Sequence, residues 1–586
     1  MKKTSMILFV CMVLFYADIN SQIKFDEKWI THFEKTDFKG SPDYYNSIKY
    51  FRQFADDFES VAMKTFGISP QGRELKYLIV SKDKAFTPEL AKKVGKPVIF
   101  VQNGIHAGEI EGKEAVMLLF REMLVTKEKE HLLDNVIFII VPVFNVDGHE
   151  RRSPYGRINQ NGPEIMGWRT TSQNLNLNRD YLKADAPEMR AMLKLYNEWI
   201  PDIYIDTHTT NGADYQYTVT YIVDRNQNLP LVTRNWVRNK FIPAIINGAE
   251  SKGFLICPYV AFDDNLESGI YDFVSSPKLS TGFASAHNRP EVTIETHMLK
   301  PYKERVYSTK AVIEGILELA NNEPEEIINI NKQADEEVIK NYSIDKKYFP
   351  ILFGALDEHD FMEFKGFRKD SVYSEITGTK VEKYSDEKID IKIPYFNKTY
   401  IKDSVSIPKY YLIPKEWTQI IEILNIHGVE MDVLEKSASF KVEKYKFKDV
   451  SFASKPYEGR FTAKYSYDVI TDSITVPEGT VIINPAQRRL GIILYLLEPK
   501  SRDSFVYWGF FNQIFERTEY FETYSMEPIA KKMFENDPVL RNEFLEKVNS
   551  DSAFANNPWA RLNFFYERTK YYDANHNFYP VIRVVE

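Results

Sequence analysis

Cysteine is nearly absent from this chain: Cys11 and Cys257 are the only two among 586 residues. Cys11 lies in an apolar N-terminal run that reads as removable, so the remaining chain can form no intramolecular disulfide and no thiolate metal cluster. Any metal must then be held by histidine and carboxylate. A basic excess is missing as well. Lys and Arg number 75 against 83 Asp and Glu, a formal net charge of −8, which argues for solubility and against partnership with nucleic acid. Long hydrophobic runs are lacking beyond the N-terminus, so no transmembrane segment is expected in the mature chain. Low-complexity tracts and short-period repeats are absent too. What is present is globular: 44% hydrophobic and 27% charged residues suit packed domains rather than disorder, and the length calls for at least two hydrophobic cores.

The N-terminus pairs a basic start, Met1-Lys2-Lys3, with an apolar run from Met6 to Phe15 that is too short to span a bilayer comfortably, followed by small and polar residues from Ala17 to Gln22. This pattern predicts a signal peptide over 1–21 and an exported protein, periplasmic or extracellular; an uncleaved anchor is the alternative. From Leu75 to about Asn321, short apolar runs alternate with amphipathic stretches, the signature of an α/β domain with a mixed sheet covered by helices. Strands are expected at Pro97–Val101, Val136–Val141, Ile203–Asp206 and Val292–Glu295. Helices are expected at 112–124, 187–199, 229–247 and 302–319. The acidic stretch Asn321–Glu326 marks the expected boundary between a domain over 22–325 and a separate mixed α+β domain over 340–586.

Histidine is scarce, with ten in all, which makes its placement informative. Asn103-Gly104-Ile105-His106-Ala107-Gly108-Glu109 follows one apolar strand and precedes a helix. A His and a Glu three residues apart can turn towards one ion, and two histidines with a glutamate form an established catalytic zinc set with one open position. The spacing alone is common: His427-Gly428-Val429-Glu430 repeats it, but without a partner segment, and reads as structural. His208, at the end of the strand Ile203–Asp206, best completes the first set. The other reading of His208 is a core histidine bonded to Asp206, and Asp206 can equally stand behind it as a supporting group.

Taken in order, His106 and Glu109, Asn145-Val146-Asp147-Gly148, Trp168-Arg169, Asn178-Arg179, His208 and Thr293-Ile294-Glu295-Thr296 resemble the motif series of the zinc carboxypeptidase family, across roughly Tyr44 to Asn321. The resemblance implies a carboxypeptidase-like fold and one zinc ion held by His106, Glu109 and His208. It implies Glu295 as general base for the attacking water and Arg169 as the cation that steadies the developing oxyanion. Asn178 and Arg179 would grip the free C-terminal carboxylate of a peptide substrate, a task suited to a planar guanidinium. Two departures bear on the substrate side. Gly108 stands where the family commonly has arginine, and Asn176 where many relatives have aspartate. The family's active-site tyrosine has no clear counterpart, with Tyr271 near its rough position and Phe283 in a segment where it might be sought. A cell-wall peptide or N-acyl amino acid amidohydrolase using the same site, and a catalytically inactive exported binding protein, are the alternative functions. Oligomeric state and the role of the C-terminal domain are not specified.

Overall fold

A computed structural model describes residues 26–210, 212–262, 266–344 and 348–585, with side chains omitted for 341–344. The expected signal peptide over 1–21 lies outside the described residues. Among them, no helix is long and apolar enough to cross a membrane.

The chain separates into two compact units. The first runs to Ile407 and takes up Glu422–Glu430 and Pro485–Asp503. Its strands are β1 (Val61–Ile68), β2 (Glu74–Val80), β3 (Val98–Asn103), β4 (Ile137–Val141), β5 (Ile203–Thr210), β6 (Val219–Ile222), β7 (Ile256–Pro258), β8 (Ile270–Tyr271) and β9 (Glu291–His297). Eight of these form one mixed sheet in the order β1-β2-β4-β3-β5-β9-β6-β7. Its centre is parallel, β4 beside β3, β3 beside β5 and β5 beside β9, while its margins carry antiparallel pairs.

The central strands are buried throughout, which is why β3 and β4 are written as almost unbroken aliphatic and aromatic runs. One sheet face, carrying Ile99, Val101, Ile205, Val292 and Ile294, shares a core with the helices Glu111–Phe120 and Tyr302–Asn322 through Val116, Phe120, Val312 and Ile316. Strand alternation sends the intervening residues to the other face. There the parallel register sets Gln102 beside Asp206, Asp206 beside Thr293, and His208 beside Glu295. A row of polar residues therefore crosses three strands at their carboxyl ends, where ligands bind in open α/β sheets.

The acidic segment Asn321–Glu326 joins two long helices, Tyr302–Asn322 and Pro324–Ile344, and the first unit continues beyond it. Between 348 and 406 one long antiparallel hairpin, 360–374 with 379–396, lies in sequence between the two strands of another antiparallel pair, 348–355 with 399–406. Tyr395 and Phe396 pair with β8, and Phe364 and Ile393 share a core with Tyr215, Tyr217 and Ile270. The second unit is a six-stranded antiparallel sheet drawn from segments between Tyr410 and Val584 together with a helical cluster built around Phe544, Phe554 and Phe565. The expected α/β sheet covered by helices, followed by a separate sheet-containing domain, is thus the observed architecture.

Candidate active site

His106 and Glu109 leave β3 on a tight turn closed by a hydrogen bond of 2.9 Å from the Glu109 amide to the His106 carbonyl. His208 projects from β5. The His106 and His208 Nδ1 atoms lie 3.2 Å apart. His208 Nδ1 is 3.0 Å from Glu109 Oε2, and His106 Nδ1 is 3.2 Å from Glu109 Oε1. Four-coordinate zinc with bonds of about 2.0–2.1 Å spaces its ligands about 3.3 Å apart, so two imidazoles and a carboxylate stand at the spacing such an ion requires. All three residues are buried.

The far side of each ring is held. His208 Nε2 bonds to Asp206 Oδ2 at 2.8 Å, and Asp206 accepts in turn from Gln102 at 3.0 Å. His106 Nε2 lies 3.1 Å from Asn176 Oδ1. Because an amide oxygen only accepts, His106 carries its proton on Nε2 and turns a lone pair inward. His208 thus bonds to Asp206 at one nitrogen and faces Glu109 with the other. Asn176, where relatives have aspartate, still supports His106, as a neutral group.

Burial above all, with the charges of Arg169 and His208 behind it, lowers the pKa of His106 to about 4 against the pull of Glu109. His208 behaves oppositely: burial opposes its charge, but Asp206 and Glu109 raise its pKa well above the ordinary value. Burial would raise Glu109, yet Arg157 and His106 hold it well below the usual carboxylate range. Without a metal ion, a proton on His208 supplies the positive charge that this acidic set demands. A divalent cation fits the same demand.

A cleft of about 590 Å³ opens beside these ligands and is lined by all seven residues singled out in the sequence: His106, Glu109, Arg169, Asn178, Arg179, His208 and Glu295. Glu295 Oε2 is buried and has no hydrogen-bond partner among the described residues. Burial first, and then the charge of Glu109, push its pKa up to about 8 against the pull of His208. Arg169 reaches Glu109 Oε1 at 3.1 Å, and its carbonyl accepts from Asn145 at 3.1 Å, so the Asn-x-Asp-Gly segment positions the arginine loop. Asn178 accepts from the Ser280 amide at 3.2 Å and lies 3.4 Å from His208 Nε2. Arg179 donates to the Asn178 carbonyl at 2.5 Å and meets no carboxylate among the described residues.

Two cleft residues escape sequence reasoning. Arg157, from an aperiodic loop, donates to Glu109 Oε1 at 2.5 Å; the missing arginine at 108 was the one signal to look for it. Tyr259 lines the cleft, its pKa pushed up to about 12 by burial and then by the charge of Glu295. As one of 36 tyrosines it carries no signal. Tyr271 instead stacks on Phe396 with centroids 4.6 Å apart, and Phe283 packs against Tyr181 and Tyr196. The second His-x-x-Glu is structural: His427 is buried and bonds to the Leu182 carbonyl at 2.9 Å.

This unit is an α/β fold whose mixed sheet carries, at its parallel strand ends, imidazole and carboxylate donors that could hold a metal ion. Residues 47–241 match the family model described as zinc carboxypeptidase. Similarity to curated proteins reaches further. Carboxypeptidase 2 of Trichophyton rubrum is 21% identical over 462 residues, 75% of this chain and 78% of that protein. Carboxypeptidase 2 of Trichophyton tonsurans is 22% identical over 464 residues, with the same coverage of 75% and 78%. Among solved structures, carboxypeptidase A of Helicoverpa armigera aligns with a TM-score of 0.36 and 17% identity, covering 51% of this chain and 76% of that one.

Proposed function

We propose that this protein is an exported zinc metallocarboxypeptidase that removes C-terminal residues from peptides. The observation that carries the reading is the meeting of His106, Glu109, His208, Glu295 and three arginines in one cleft. Zinc bound there would serve as a Lewis acid on the scissile carbonyl and lower the pKa of a water. Arg179, with no carboxylate of its own, binds the substrate's terminal carboxylate through its planar fork of donors, and Asn178 sets the place of that arginine. Arg169, half-exposed at the cleft wall, meets the carbonyl oxygen as negative charge develops on it. Glu295 takes a proton from the attacking water as its oxygen bonds to the carbonyl carbon. It passes that proton to the departing nitrogen as the C–N bond breaks, and its raised pKa suits both roles. Export is supported by the basic start and apolar run over Met1 to Phe15.

Zinc content and release of C-terminal residues from a mixed peptide set test this reading, with Glu295→Gln as comparison. The expected result is bound zinc in both proteins and residue release that falls about 10²- to 10⁴-fold in the variant. Zinc without release from any peptide in either protein would exclude it and favour acyl amino acids, cell-wall peptides or simple binding.

A further inference from the structure

Gly108 sits beside the carboxylate that faces the metal position, and its missing side chain has a use. A Cβ built there would lie 2.7 Å from Cδ and 3.2 Å from Cγ of Arg157, and 3.1 Å from the Gly167 carbonyl oxygen. Arg157 therefore crosses the space that a side chain at 108 would claim. Its guanidinium ends on Glu109 Oε1 at 2.5 Å, with a second nitrogen 3.4 Å from the Thr209 carbonyl. Arg169 ends on the same oxygen at 3.1 Å. The two are not equivalent: the Arg157 side chain is 14% exposed and that of Arg169 is 41% exposed. One carboxylate oxygen thus has two guanidinium donors, the nearer enclosed and the farther open to the cleft.

We propose that Arg157, admitted by Gly108, is the positioning residue of Glu109: it fixes the carboxylate for a cation and, by occupying Oε1, leaves Arg169 free to turn to the substrate. The part played by Arg169 rests on the carboxypeptidase reading, whereas the part at Glu109 requires only that a divalent metal binds. Take Arg157 away, and a buried carboxylate keeps one guanidinium partner, which it draws from the cleft wall. Hydrogen bonds to ligating carboxylates are known to set metal affinity as well as ligand orientation. Lysine at 157 would preserve the charge but not the fork of donors. The absent arginine at 108 and the arginine at 157 are then one arrangement: the cation reaches the metal-binding glutamate from another loop, and residue 108 must stay small to let it through.

The test measures zinc affinity by competition with a chromogenic chelator, alongside steady-state kinetics. It uses the full chain as wild type, Arg157→Ala, Arg157→Lys, Gly108→Ala and the double variant Gly108→Ala/Arg157→Ala. Arg157→Ala should weaken zinc binding about 10- to 100-fold and lower kcat more than it changes KM, with Arg157→Lys recovering part of the affinity. Gly108→Ala should reproduce much of this loss by evicting the guanidinium. In the double variant the two effects should fall well short of additive, because the tight contact with Gly167 is common to both backgrounds and cancels in the cycle. Wild-type zinc affinity in Arg157→Ala, or full additivity, would overturn the proposal. If Arg157→Ala does not fold, wild-type affinity in Gly108→Ala overturns it equally. Weakened zinc binding in proteins that cleave no peptide would uphold the role at Glu109 and count against the carboxypeptidase reading alone.

Discussion

Glu109 and Glu295 are two carboxylates in one cleft, and their surroundings push their pKa values in opposite directions: Arg157 and His106 hold the first down, while burial and the nearby charge of Glu109 raise the second to about 8. Such a split suits one carboxylate to hold a cation and the other to move a proton. It also makes a statement about stability. With a pKa raised from 4.5 to about 8, Glu295 binds a proton more readily in the folded protein than in the unfolded chain. Its contribution to stability is fully present below about pH 4.5 and is lost as pH rises through about 8. In the metal-free protein, Glu295→Gln should therefore melt progressively higher than wild type as pH is raised from 5 to 9, the gap reaching a few kcal/mol. Parallel melting curves would show that the carboxyl bears no such penalty. At this scale the legible residues were those with a local context: His106 and Glu109 share a turn, and His208 ends an apolar strand. Arg157 was not legible, because its contact with Glu109 spans 48 residues of chain and is made by an aperiodic loop.

Among the elements, the parallel core of the sheet was the most readable part. Strands β3, β4, β5 and β9 are covered on both faces, so their apolar character appears as runs that need no periodicity to recognise. Strands β1 and β2 at the margin are partly exposed and were not foreseen. The helix expected over 229–247 is present as one helical run, Leu231–Trp236 passing into Ile242–Glu250 through a wider π turn at Val237–Phe241. Pro243 supplies the reason, since it has no amide to donate back into the preceding turn. The helix Glu111–Phe120 makes a closer demand. A Cβ at Gly112 would lie 2.1 Å from Asn103 Oδ1 and 2.2 Å from Thr207 Oγ1, the pair that links the ends of β3 and β5 at 2.9 Å. Alanine inside a helix ordinarily gains up to about 1 kcal/mol over glycine. Here the crowding reverses the sign, and Gly112→Ala should destabilise the metal-free protein by about 1–3 kcal/mol in urea unfolding. Unchanged or greater stability would mean that the helix can lift away from the strand ends.

On the scale of the whole chain, the polar stretch near 321–326 looked like a linker because it is acidic, yet it is a helix joint, with Ile327 and Ile330 of the following helix in the main core. The strands between 348 and 406 read simply as β-rich, and nothing in their alternation announces that Phe364 and Ile393 complete a core begun by Tyr215 and Tyr217. A fragment ending at residue 325 should therefore expose that core and aggregate or melt well below the full chain, by light scattering and thermal unfolding; a fragment that remains monomeric with the full chain's melting temperature would contradict this. The same unit takes its last piece from Pro485–Asp503, where the helix Leu490–Leu497 is buried along its whole length. A ribosome must thus have passed Asp503 before the cleft-bearing unit has all its parts. During synthesis, the apolar surfaces awaiting that helix stay uncovered, which delays the finished cleft-bearing unit until long after the cleft's own residues have been made.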